Sequence, residues 1–167
     1  GDINNLVTTA EFLWNDSLSK PVIKELVDKR EIKLKNTLYL SGGIVWAMVS
    51  LLHPKSLNSN YVEISVDDVT QFRKQVATNF ETLVQPDLKS LTNEDELKKI
   101  QSNIGRVLKT FDQKAMASGA VWLNHLIQEI TTINPTKKLI YPKYGYVGWI
   151  SGYIIKKVTN QYVGLVK

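Results

Sequence analysis

At 167 residues the chain is long enough for one domain with a sizeable core and too short for a second full one. Its 43% hydrophobic and 22% charged residues exclude a disordered or fibrous chain, and the absence of cysteine excludes disulfides, thiolate metal sites and cysteine nucleophiles together. A formal charge of +5 permits anionic ligands without requiring them, and the longest apolar run, Gly42 to Leu52, is shorter than the about 20 residues a bilayer needs, so a cytoplasmic protein with no signal peptide and no membrane partner is expected.

Leu6, Phe12 and Leu13, then Val22, Ile23, Leu26 and Val27, recur at near-helical spacing. They predict helices over residues 5–14 and 21–34, with Pro21 suited to the first turn of the second. Thr37 to Leu40 reads as a strand that turns through Ser41, Gly42 and Gly43 into a helix from about Ile44 to Leu52. That helix is apolar on all sides and so is expected to be buried on all sides, ending at His53-Pro54. After a polar loop over Ser56 to Asn60, Tyr61 to Ile64 reads as a short strand, and Ser65-Val66-Asp67-Asp68 has the spacing of a capping box. Val69, Phe72, Val76, Phe80 and Leu83 continue one helix until Gln85-Pro86 stops it.

A connector over Pro86 to Asn93 leads to a cap at Thr92-Asn93-Glu94-Asp95 and a helical stripe of Leu97, Ile100, Ile104 and Val107. Thr110 with Gln113 repeats the cap signal. Met116, Ala120, Leu123, Ile127, Ile130 and Ile133 then share the face of a long helix, with Gly119 allowing a neighbour to approach, and Asn134-Pro135 closes it. Lys138 to Tyr141 is a candidate last strand. Tyr144 to Gly148 reads as a glycine turn into a final helix from Trp149 to about Val158.

The junction at Ser41, Gly42 and Gly43 carries the clearest chemistry. Backbone N–H groups in the first turn of a helix lack intrahelical partners, and the dipole adds positive potential, so a phosphate can settle there. Gly42 and Gly43 permit a positive φ and close approach. Elsewhere the search is mostly negative. His53 and His125 have no second ligand at metal-binding spacing and read as structural. Asp67 and Asp68 are explained by a helix start, so no acid pair for general acid/base work is supported. The basic pairs Lys29-Arg30, Lys98-Lys99, Lys137-Lys138 and Lys156-Lys157 are scattered, and those on helices read as solvated faces, which argues against nucleic acid. No nucleophile-elbow, Walker-type or dinucleotide motif is present.

Three stretches resemble the later part of the second actin-like domain of the exopolyphosphatase and guanosine pentaphosphate phosphatase (Ppx/GppA) family. They are Leu38 to Ala47, Tyr61 to Val69, and Phe111 to Leu126 followed by Gly148 to Tyr153, together spanning most of residues 36–158. The resemblance implies an α/β, helix-rich, ribonuclease-H-like half-domain with a small sheet, in which residues 1–167 are the carboxy-terminal fragment of a larger two-domain protein. Ser41, Gly42 and Gly43 would line one wall of a phosphate cleft. The family's catalytic glutamate and first phosphate loop belong to its other domain, so no catalytic residue is named here. The implied function is a polyphosphate or guanosine pentaphosphate hydrolase whose fragment is inactive alone. No cofactor is expected in the fragment, magnesium remaining possible in the full-length protein.

This sequence departs from the family pattern in three ways. No Asp-x-Gly occurs in it, Ile44 stands where threonine commonly follows the glycines, and the arginine near the start of the penultimate helix is absent, with Arg106 nearby but aligned by no motif. A competing expectation from another class is a non-catalytic interaction or homodimerisation module that uses the exposed side of the Phe111 to Asn134 helix.

Overall fold

In the computed structural model, residues 2–16 and 35–145 are described, together with Pro21 and Glu25. The first helix, α1 (Ile3–Asp16), places Trp14 inward, where it is 3% exposed. The helix predicted over 21–34, apart from those two residues, and the one predicted from Trp149 lie outside the described residues.

Strand β1 (Thr37–Tyr39) leads through the glycine turn into α2 (Gly43–Leu52). Val45, Ala47, Met48, Val49, Ser50 and Leu51 of α2 are all buried, as an all-round apolar helix must be. Ser50 is its one fully buried polar side chain, and its Oγ accepts from Asn103 Nδ2 at 2.7 Å. The polar stretch after His53 is ordered as a 3-10 helix, Pro54–Asn58, where a loop was expected. Proline at its first position has the right φ and no N–H to leave unpaired.

Strand β2 (Tyr61–Ile64) alternates exposed and buried side chains and feeds α3 (Val66–Thr78). The predicted capping box is formed at the start of α3. Asp68 N donates to Ser65 Oγ at 3.0 Å, while Ser65 N donates to Asp68 Oδ2 at 2.7 Å. The helix expected to run on to Leu83 instead breaks at Asn79, whose φ of −138° and ψ of 41° leave the helical region, and resumes as the short α4 (Phe80–Leu83). The carbonyl of Val76 accepts from Gln113 Nε2 at 2.9 Å, so a side chain from a later helix answers a backbone group near this break.

Helix α5 (Glu94–Thr110) is capped by Asn93, whose side chain accepts from Glu96 N at 3.1 Å. Helix α6 (Gln113–Ile133) is capped by Asp112 and not by Thr110 as the spacing suggested. Thr110 is the last residue of α5, and its hydroxyl donates back to the Arg106 carbonyl at 2.8 Å. Asp112 Oδ1 accepts from Ala115 N at 2.7 Å and brings negative charge to the positive end of the helix.

Strand β3 (Lys138–Pro142) lies in the middle of a three-stranded mixed sheet of order β1-β3-β2. It runs parallel to β1, with Leu38 beside Leu139, and antiparallel to β2, with Glu63 beside Ile140. The buried Lys137 donates its ammonium to the Lys35 carbonyl just before β1. The described chain is thus α/β and helix-rich, with a small sheet, in agreement with the coarse architecture expected.

The core forms where α2 is enclosed by α3, α5, α6 and the inner face of the sheet, around Met48, Val49, Phe72, Val107, Met116 and Ile127, each fully buried. Gly119 of α6 meets α2 here. A Cβ added to it would lie 2.8 Å from Ile44 Cγ1, so the expected close neighbour is the residue that follows the glycine turn. Helix α1 closes the other side of α6. Trp14 stacks on His125 at 5.2 Å and meets Trp122 edge-on at 5.7 Å, and Glu11 pairs with Arg73 of α3.

Candidate anion-binding site

Gly42 is the N-cap of α2, with φ 130° and ψ 165°. That conformation is open essentially to glycine alone, which is why the turn needs glycine at this position. The cap has no side-chain hydrogen bond, whereas Ser65, Asn93 and Asp112 each cap their helices with a side-chain oxygen. Ser41, Gly42 and Gly43 are all exposed. The back of the turn is closed by Phe111, since a Cβ on Gly43 would fall 2.6 Å from its Cζ. The loop after β3 closes one side, where a Cβ on Gly145 would fall 2.9 Å from that of Ser41.

These three residues line a cleft of about 820 Å³ together with residues of α5 and the loop after β3. That volume is within the range of small-molecule sites. Across the cleft from the turn, α5 presents Lys99, Ser102, Asn103 and Arg106, spaced i, i+3, i+4 and i+7, beside the buried stripe of Ile100, Ile104 and Val107. Lys98 and Lys143 complete a lining that carries four cationic side chains and no carboxylate. Glu94 and Asp95 stand one turn before Lys98 and Lys99, a spacing that allows ion pairs, yet among the described residues no ion pair to either lysine is formed. Glu96 is drawn off to the 3-10 helix, where its Oε1 accepts from Asn58 Nδ2 at 2.8 Å. A lining with one sign of formal charge favours an anion over a cation.

The aromatic wall is Trp46, on the first turn of α2. Its indole Nε1 donates to Asn103 Oδ1 at 3.2 Å, its ring lies 6.5 Å from that of Phe111, and the Arg106 guanidinium carbon lies 5.5 Å from its centroid. Ile44 is absent from the lining because its side chain turns inward against Gly119.

Sequence reasoning reached the turn and missed the opposing wall. Lys98 and Lys99, read as a solvated face, line the cleft, as does Arg106, which no motif aligned. The signal that was available is the polar stripe 99, 102, 103 and 106, which keeps to one side of an otherwise well-patterned helix.

The titratable groups singled out in the sequence lie elsewhere. His53 Nε2 donates to Asp68 Oδ1 at 2.9 Å, beyond the far end of α2, and His125 is in the stack with Trp14. Burial by itself would raise the Asp68 pKa, but hydrogen bonds from Ser65 and the charge and hydrogen bond of His53 outweigh it and hold the carboxyl below its ordinary 3.8. Both act as helix-start and packing groups. Among the described residues no group of three or more His, Asp or Glu is spaced to hold a metal ion. The cleft lining offers no carboxylate oxygen to magnesium, a hard cation that wants such ligands. No described helix is long and apolar enough to cross a membrane. The chain matches no protein-family model, no curated protein and no solved structure.

Proposed function

We propose that this chain forms one wall of a phosphate-binding cleft in an exopolyphosphatase-like phosphohydrolase, with the ribonuclease-H-like half-domain fold implied by its resemblance to that family. The observation that carries the reading is the cleft at Ser41, Gly42 and Gly43, where an uncapped helix start faces Lys98, Lys99, Arg106 and Lys143 with no carboxylate in the lining. Backbone amides and cations would bind and orient a polyphosphate or the phosphates of guanosine pentaphosphate. Neutralising charge and fixing geometry are most of what phosphoryl transfer asks of a protein. The resemblance assigns the water-activating glutamate to another domain, so this chain binds without turning over.

Titration calorimetry of the 167-residue chain with inorganic tripolyphosphate tests the reading. Binding that weakens with added salt, with no phosphate released, is expected. No binding up to about 1 mM ligand refutes the cleft, and turnover refutes the assignment of catalysis elsewhere.

A second reading has an observation of its own. Helix α1 covers much of the outer side of α6, but Trp122 remains 45% exposed and Leu13 55% exposed beside a mainly apolar groove of about 620 Å³ between the two helices. A homodimerisation module would use this groove. A dimer by light scattering with no anion affinity supports it over the cleft reading.

A further inference from the structure

The four cations of the cleft are not equivalent. Arg106 ends in a planar guanidinium whose carbon lies 5.5 Å from the Trp46 ring centroid and Lys143 in an ammonium 5.7 Å from that of Tyr144, while among the described residues no ring lies against Lys98 or Lys99. The Trp46 ring itself is fixed. Its Nε1 donates to Asn103 Oδ1 at 3.2 Å, Asn103 Nδ2 donates to Ser50 Oγ at 2.7 Å, and Ser50 is fully buried in α2. A guanidinium carries its N–H donors in a planar fork, which an ammonium lacks. Among the described residues no carboxylate pairs with those donors and no side-chain hydrogen bond engages them.

We propose that Arg106 is the specificity-determining residue of the cleft, presenting a planar pair of N–H donors to two oxygens of one phosphoryl group, with Trp46 and Asn103 as its positioning residues. This rests on the anion-cleft reading above and deepens it. The lysines and the helix start attract any anion, while the arginine selects one with two oxygens at fork spacing. A phosphoryl group meets that demand and chloride does not. Trp46, in contact with the guanidinium, registers occupancy because a charge over its ring shifts when the anion docks.

Calorimetry and tryptophan fluorescence with inorganic tripolyphosphate test this on wild type, Arg106→Lys, Lys99→Gln and Trp46→Phe, with the urea midpoint of each as a folding control. Arg106→Lys keeps the charge and is expected to lose about tenfold in affinity with its salt dependence unchanged. Lys99→Gln is expected to lose less affinity and to bind with a shallower salt dependence. Trp46→Phe keeps a ring but loses the bond to Asn103, and is expected to lose affinity several-fold together with the ligand-dependent fluorescence change. Arg106→Lys binding within twofold of wild type overturns the proposal and leaves the cleft reading standing. Absence of tripolyphosphate binding in wild type overturns both.

Discussion

The contact between Ile44 and Gly119 sets up a substitution whose effect changes sign with its background. Alanine for glycine inside a helix is worth about 0.5–1 kcal/mol in favour of the folded state. At Gly119 the added Cβ would stand 2.8 Å from Ile44 Cγ1 and 2.9 Å from Cδ1, well inside contact distance. Only Cδ1 is at the free end of the side chain, so relief requires moving α2 against α6, and overpacking of this kind costs about 1–3 kcal/mol. Gly119→Ala is therefore expected to destabilise the chain by about 1 kcal/mol net, a fall of about 2–4 °C in Tm for a domain of this size. Ile44→Ala removes both clashing atoms and leaves Cβ at 3.3 Å, a distance that a few tenths of an ångström relieves. In that background Gly119→Ala is expected to stabilise by about 0.5–1 kcal/mol, although Ile44→Ala itself costs about 2 kcal/mol or less, since Ile44 is only half-buried. Urea unfolding of the four proteins, followed by far-ultraviolet circular dichroism, gives the double-mutant cycle. A stabilising Gly119→Ala in wild type, or an equal cost in both backgrounds, refutes the packing argument.

Gly42→Ala adds a Cβ that meets nothing within 4 Å, so its whole cost is backbone conformation, about 1–3 kcal/mol by thermal unfolding, and asparagine at 42 does not rescue it because ψ 165° is far from the left-handed helical well. Ser65→Ala removes a cap and is expected to cost about 1 kcal/mol in the same assay. Because the folded-state pKa of Asp68 lies below its ordinary 3.8, the stabilisation by its ionised form is fully present above that value and lost as pH falls through the lowered one. Asp68→Asn is thus expected to be less stable than wild type at neutral pH, with the gap closing in acid, and a gap that persists at about pH 2 contradicts this assignment.

Much of the fold was legible because local rules and tertiary packing agree. The alternation in Tyr61 to Ile64, the all-apolar α2 and the Ser65–Asp68 box each specify one local structure, and each is formed. The misreadings fall where two local choices were close in energy. Asn79 can sit in a helix or cap one, and the Gln113 bond to the Val76 carbonyl that accompanies the break comes from 37 positions along the chain. Thr110 and Asp112 both precede a helix, and the residue two positions nearer, charged and matched to the helix dipole, takes the cap while threonine turns back to its own carbonyl.

The candidate site divides along the same line. Its glycine half is a local feature, since the φ of 130° at Gly42 is demanded by three consecutive residues. Three of its four cations, Lys98, Lys99 and Arg106, are there because α5 packs against α2, and the fourth, Lys143, because β3 runs beside β1 and brings its following loop to Ser41. Charge counted along the sequence sees two lysines after three acids and cancels them. In the folded chain Glu96 is taken by Asn58, the first-turn acids Glu94 and Asp95 form no pair with Lys98 or Lys99, and the cations are left facing the helix start of α2. The same packing decides the part played by Ile44. Read beside the glycines, it looked like a lost hydroxyl donor. Turned against Gly119, it anchors α2 to α6 and holds the turn at the mouth of the cleft without lining it. A donor restored by Ile44→Thr would therefore face the core, where an unpaired hydroxyl costs stability. That variant is expected to lower the urea midpoint and to gain no affinity for tripolyphosphate, and a gain in affinity would show that the residue after the glycines reaches the ligand after all.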